Sequence, residues 1–147
     1  GLQIAGLPGR WFTELASPPN GEIQENLSLD RSLGAIGDSA VVEALGLGAM
    51  QISSAPEQLR VFKDVLPDNY QARCDFLKMG NHYDFNKATP KIGIAIRSIN
   101  NFESGPLVAL GIIDRAGDLG RIGGGIYDPP LKLFKSAIDA LDLSHEH

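Results

Sequence analysis

Short, strongly apolar runs alternate along this chain with segments whose apolar residues recur at helical spacing. That mixture predicts an α/β or α+β fold, a mixed sheet with helices packed against it, in a single domain. Two runs carry the sheet: Leu107–Ile113 is almost continuously apolar, as a strand covered on both faces should be, and Ile92–Ile96 has one apolar face. Two segments carry the helices, one opened by Pro56 and one by Asp128-Pro129-Pro130. The length of 147 residues suits one domain, and at that size roughly 68–70% of the unfolded surface leaves water on folding.

The elements follow in order. Leu2–Ala5 and Trp11–Thr13, parted by Pro8-Gly9, read as two short strands around a turn. Residues 16–30 are rich in Pro, Gly, Asn and Glu and read as a loop. Asp38, or Ser39 beside it, caps a helix through Ala40–Leu45, which Gly46 and Gly48 then crowd. Pro56 opens a helix with a stripe of Leu59, Phe62, Val65 and Leu66, ended by Pro67. Asp68–Met79 reads as another, with Tyr70, Cys74 and Leu77 on one side, stopped by Gly80-Asn81. His82–Thr89 reads as a loop and Gly117–Gly125 as a glycine-rich one. The last helix, Leu131–Leu141, turns Leu131 or Leu133, Phe134, Ile138 and Leu141 inward and leaves 143–147 as a flexible tail.

Composition narrows the function. Hydrophobic residues at 43% and charged residues at 21% are globular values. A net charge of -5 supplies no basic surplus for displacing phosphate counterions, which argues against nucleic acid. The lone cysteine, Cys74, rules out an internal disulfide and suits a reducing, cytoplasmic compartment. No run approaches the ~20 apolar residues of a membrane span, and no basic-then-apolar leader appears. The start at Gly1 suggests a processed terminus or a piece of a longer protein.

Two stretches suit an anionic small molecule. In Asp114–Gly125 the glycines allow backbone N–H groups to converge on an anion, and Arg121 adds a two-pronged grip on a carboxylate or phosphate. Gly123, Gly124 and Gly125 are the binding backbone here, although the pattern is neither a Walker A loop nor a dinucleotide fingerprint. The bland alternative is a tightly packed glycine turn. In the second stretch the helix start at Asp38 and Ser39 carries free N–H donors, and Glu43, one turn on, can act as a base or bind an amide. Simple capping by Asp38, with Glu43 on a solvated face, is the alternative.

Arg97 and Asp114 stand at the ends of the two expected strands and share a rim if those strands are parallel. The connection from Ser98 to Pro106 is short for a helical crossover and argues for an antiparallel pair. Arg97 joins Asp38 and Ser39 as a candidate substrate-binding residue, with Glu43 and Arg121 the catalytic candidates. His82, near Asp84, lacks the further ligands a metal needs, so no metal and no cofactor are expected. Cys74 reads as a buried structural thiol.

Several strings, in order, carry a resemblance. They are Gly6–Thr13, Ile36–Gly48, Gly105–Ile112, and Gly120–Gly125 with Pro129-Pro130 and Phe134. Together they resemble the YlbE/YahG-like family of bacterial proteins, whose members are much longer than this chain. The stretch Ile112–Asp118 departs from the family pattern in having no histidine. The resemblance implies purine (allantoin) catabolism beside an FdrA-like partner, in an oligomeric complex. It further implies a subunit of a carbamoyltransferase that turns oxalurate and phosphate into oxamate and carbamoyl phosphate. Charge on the transferred group would then be held by backbone N–H groups and Arg121, with Glu43 or Asp38 orienting the amide nitrogen. The alternatives are a non-catalytic assembly domain using Trp11, Phe12 and the following loop, and an anion sensor that binds without reacting.

Overall fold

The computed structural model describes residues 1–81 and 91–145. In chain order these form β1 (Asn20–Ile23), α1 (Ser39–Ala44), a 3-10 helix (Ala49–Ser54), α2 (Pro56–Phe62) and α3 (Tyr70–Leu77). There follow β2 (Lys78–Asn81), β3 (Lys91–Ile94), α4 (Ile96–Phe102), β4 (Val108–Ile113), β5 (Arg121–Tyr127) and α5 (Leu131–His145). One sheet has the order β1-β5-β4 and the other pairs β2 with β3. Every described pairing is antiparallel. With helices packed on these sheets in one domain, the predicted fold class holds, in its α+β form.

The largest departure from the sequence reading concerns the glycines. Gly123–Gly125 lie inside β5, the central strand, and not in an open loop. Ile122 and Ile126 anchor that strand at 0% and 3% exposure. The glycines between them let β1 approach, because a side chain at Gly123 would run into the Glu22 carbonyl and one at Gly125 into that of Asn20. The partner strand β1 itself arises from residues expected to be loop. Composition hid it: a strand of only Asn-Gly-Glu-Ile has little apolar pattern, and its register comes from β5.

Other differences are local. The strand expected over Ile92–Ile96 ends at Ile94, and α4 fills the connection judged short for a helix. Ile96, Ile99 and Phe102 recur at helical spacing, Ile99 is fully buried, and Glu103 ends the helix in the left-handed region at φ 54. The helix of Asp68–Met79 is confined to α3, and Gly80 and Asn81 continue into β2. The helix opened by Pro56 stops at Phe62, short of Pro67. Leu2 and Phe12 form a single bridge, with N–H···O distances of 2.8 and 2.9 Å, in place of two strands. Residues 143–145, expected in the tail, belong to α5. The loop expected at His82–Thr89 and the last residues of the tail lie outside the described residues.

The core sits between α5 and the elements α3, α4 and β5. Leu133, Phe134, Ala137, Ile138 and Leu141 are the buried stripe of α5, close to the expected one, and each fully buried large side chain contributes about 1.5–3 kcal/mol. Gly105 permits the contact, since a side chain there would strike the Phe134 ring. Cys74 is buried in the same core, as its apolar neighbours predict. Arg73, almost fully buried, ties α3 to the turn before α5: Nη1 and Nη2 each reach an Asp128 oxygen at 2.8 Å. Its Nε donates to Asn69 and Nη1 also to the Gly105 carbonyl. Among the described residues no helix is long and apolar enough to cross a membrane.

Candidate functional site

The alternative that puts Glu43 on a solvated face does not hold. Glu43 is 2% exposed. Its Oε2 accepts the Ala49 N–H at 2.6 Å and its Oε1 accepts that of Met50 at 2.8 Å. Glu43 therefore caps the 3-10 helix that follows α1, satisfying donors that no backbone carbonyl reaches. Gly48 makes this possible, because a side chain there would fall on the carboxylate. Asp38 stands at the N-cap position of α1 but makes no side-chain cap bond.

α1 forms one wall of a cavity of about 950 Å³. The N-terminal segment, the start of α4, one face of the sheet and α5 supply the others. Its lining is largely apolar, with Ile99, Val108, Leu110, Leu133 and Phe134 among it, and polar side chains join them: Gln3, Glu14, Ser39, Glu43, Arg97 and Tyr127, with Glu14 paired to Lys132 at 2.9 Å. That composition, mostly apolar with sparse polar groups, is the usual one for small-molecule sites. Three residues singled out from sequence, Ser39, Glu43 and Arg97, thus come together. Arg97 lies in the first turn of α4, not at the end of a strand, and its Nη2 bonds Asp142 of α5 at 2.8 Å.

Arg121 is on the other side of the sheet. Alternation along the β4–β5 ladder puts Val108, Leu110, Gly123, Gly125 and Tyr127 on the cavity face. Ala109, Gly111, Gly124 and Ile126 are on the opposite face. A side chain at Gly111 or Gly124 would meet Arg121, at 3.1 and 3.4 Å, so its guanidinium lies over these two glycines. A register shift between Ile112 and Ile113 carries Arg121 across. Its Nε donates to the Gly123 carbonyl at 2.9 Å. Arg121, Asp38, Gly123, Gly124 and Gly125 do not line the cavity.

Within the stretch read as anion-binding, Asp114–Gly125, the loop before β5 closes on the protein's own carboxylate. Asp114 is 1% exposed and accepts the N–H groups of Ala116, Asp118 and Leu119 at 3.3, 3.2 and 3.1 Å. Arg31 closes it with two bonds, at 3.0 and 2.7 Å. The Arg31 guanidinium, followed by these backbone donors, outweighs burial and lowers the Asp114 pKa from 3.8 to about 2. Asp114 is therefore partnered with Arg31, not with Arg97.

Tyr127 is a cavity residue that sequence reasoning passed over. It closes β5 opposite Val108, and burial, then the neighbouring Asp128, raise its pKa above the ordinary 10. The phenol is a neutral donor at physiological pH. Its signal in the sequence was an aromatic two residues beyond the glycines, ahead of Asp-Pro-Pro. Of the assembly candidates, Phe12 is buried in the core and Trp11 is exposed. His82 lies outside the described residues, among which no three His, Cys, Asp or Glu side chains gather around a common point.

Comparison with known proteins gives the chain its relatives. No family model matches. The chain is 29% identical over 96% of its length to the oxamate carbamoyltransferase subunit AllG of Escherichia coli (strain K12). It is 27% identical over 94% of its length to the uncharacterized protein YahG of the same organism. It spans about a third of each of these relatives, 36% and 31%. Its fold matches a crystal structure of a conserved protein of unknown function from Enterococcus faecalis V583, with a TM-score of 0.76 at 22% identity. That match covers 91% of this chain and 34% of the other. The resemblance read from the motifs holds: along nearly all its length this chain is similar to the YahG- and AllG-like proteins.

Proposed function

We propose that this chain is a domain of a carbamoyltransferase-type subunit and that its cavity receives the small anionic amide. Oxalurate and phosphate would be the substrates, oxamate and carbamoyl phosphate the products. The observation that carries the reading is the meeting of Ser39, Glu43 and Arg97 in one cavity, in a chain similar to AllG over 96% of its length. Arg97 Nη2 donates to Asp142, and in this reading its other N–H groups take the substrate carboxylate. The Ser39 hydroxyl bonds an amide oxygen or nitrogen. Glu43 shapes the wall, its carboxylate held by Ala49 and Met50.

In the proposed reaction a phosphate oxygen attacks the carbamoyl carbon of oxalurate. The bond from that carbon to nitrogen breaks, and the nitrogen leaves with a proton as the amide of oxamate. Holding two small anions side by side is the main task, and positioning supplies much of such a rate. A cavity of about 950 Å³ has room for both. Thermal melting of the chain with oxamate, carbamoyl phosphate and phosphate tests the reading. Stabilisation lost in Arg97→Ala is the expected result.

A second reading, a non-catalytic assembly domain, is favoured by a different observation. Val41, Val42 and Leu45 of the α1 region, with Ile36 just before it, are exposed apolar side chains, and clustered exposed apolar surface marks partner contacts. An FdrA-like protein would be the partner. Sedimentation of the chain alone and with that protein tests it, and a monomer that binds nothing counts against it.

A further inference from the structure

We infer that the loop from Leu2 to Phe12 is the lid of the cavity. It closes against Leu141 of α5 and opens about its own neck, the Leu2–Phe12 bridge, to admit a ligand. The inference goes beyond the proposed function and does not depend on which small molecule the cavity receives.

The case begins with where the backbone bonds of this segment go. Leu2 and Phe12 exchange two, at 2.8 and 2.9 Å. Inside the loop the Leu7 N–H donates to the Ile4 carbonyl and that of Arg10 to the Leu7 carbonyl, at 3.1 and 3.2 Å. Among the described residues no backbone bond runs from residues 1–14 to the rest of the domain, and the next one along the chain that does joins Ala35 to the Ser17 carbonyl at 2.9 Å. A compact loop with joined ends is an Ω-loop, a form that often serves function.

Its hold on the domain is light. Phe12, 8% exposed, is rooted in the core and fixes the neck. Beyond the neck, Ile4 and Leu7 pack against that core while half-buried. Gly6 rests on Leu141, whose Cδ1 a side chain at Gly6 would meet at 2.6 Å. Glu14, just after the neck, pairs with Lys132 at 2.9 Å. The segment therefore lies along α5, touching it at Lys132 and at Leu141, roughly 14 Å apart on the helix. Residues 1–6 line the cavity, and Leu133, Phe134 and Leu141 line it from α5. The loop closes at the end of α5 where Asp142 holds Arg97. Few buried contacts, with no backbone bonds to the body, let such a unit open while the rest of the domain stays folded. A lid of this kind keeps water from a bound ligand.

The test is thiol labelling of the chain with iodoacetamide, each site followed by peptide mass. Leu141→Cys puts a thiol beneath Gly6, and the native Cys74, buried in the core, reports opening of the whole domain. Labelling tracks the open population when closing is fast. Adding Leu7→Ser, which loosens the loop and leaves Phe12 in place, should speed alkylation at position 141 roughly tenfold, the worth of half a buried leucine. Cys74 should be unchanged. Adding Glu14→Gln instead should speed it about two- to fivefold, as suits a largely exposed ion pair. Hydrogen exchange of the unmutated chain gives a second reading, in which the Leu7 and Arg10 amides exchange far sooner than those of β5. Equal acceleration at both thiols, no acceleration at position 141, or loop amides as protected as those of β5 would each overturn the lid. Neither measurement uses a ligand, so the lid and the reading of the cavity as an anion site fail separately.

Discussion

Arg31 and Asp114 bind each other through two parallel contacts, Nε to Oδ1 at 3.0 Å and Nη2 to Oδ2 at 2.7 Å. The pair joins the segment before α1 to the loop between β4 and β5, and the same carboxylate gathers three backbone N–H groups of that loop. A sequence motif that looks built for a foreign anion is here occupied from within.

This pair predicts an acid response. The folded pKa of Asp114, about 2, lies below its ordinary 3.8. A lowered carboxylate pKa contributes stability that is fully present above the unfolded value and is lost as pH falls through the folded one. Wild type should therefore lose this contribution between about pH 4 and pH 2. Asp114→Asn should be less stable at neutral pH and flatter across that window. Urea midpoints measured from pH 5 to pH 2 check this, and parallel profiles for the two proteins would contradict it.

Asp128 and Arg73 should respond unequally to truncation. The Arg73 side chain is 6% exposed and that of Asp128 is 49% exposed. Asp128→Ala strands a buried guanidinium and should cost about 2–4 kcal/mol. Arg73→Met leaves a carboxylate that water can reach and should cost less, about 1–2 kcal/mol. Chemical denaturation of both variants gives the order, and an inverted order would show that this pair is not what ties α3 to α5.

Glu43→Gln removes one of the two oxygens that cap the 3-10 helix at Ala49 and Met50. An amide N–H₂ group then faces a backbone N–H, and a loss of about 1–3 kcal/mol is expected. Full stability in this variant, with lost turnover in the complete complex, would return Glu43 to a purely chemical role.

Gly123→Ala should detach β1 from the central strand, because the added carbon meets the Glu22 carbonyl. Backbone crowding that cannot relax costs about 1–3 kcal/mol. Amide exchange should show the loss confined first to residues 20–23. Unchanged protection there would show that the added carbon is accommodated with β1 still paired.

What the sequence made legible follows from where its pattern was strong. Leu107–Ile113 and Leu131–Leu141 announce themselves by continuous and by helically spaced apolar residues, and both are where they were expected. β1 and β5 were hidden, since Asn20–Ile23 and Gly123–Gly125 have too few side chains to show a period of two. At the site, Ser39, Glu43 and Arg97 were named, but their meeting depends on α4, which the short connection concealed. Arg121 stands apart from the cavity because a register shift moves a side chain to the other face without leaving a mark in the sequence. Asp114 was visible as a residue, but its partner Arg31 lies far away in the chain.

The most direct test of the proposed site compares Arg97→Ala with Arg121→Ala in thermal melts with and without oxamate. At a ligand concentration of about 100 times the dissociation constant, wild type should gain about 2.7 kcal/mol, a shift of roughly 5–10 °C. The cavity reading predicts that Arg121→Ala keeps this shift and Arg97→Ala loses it. Loss of the shift in Arg121→Ala, with Arg97→Ala unaffected, would move the site to the opposite face of the sheet and contradict the account.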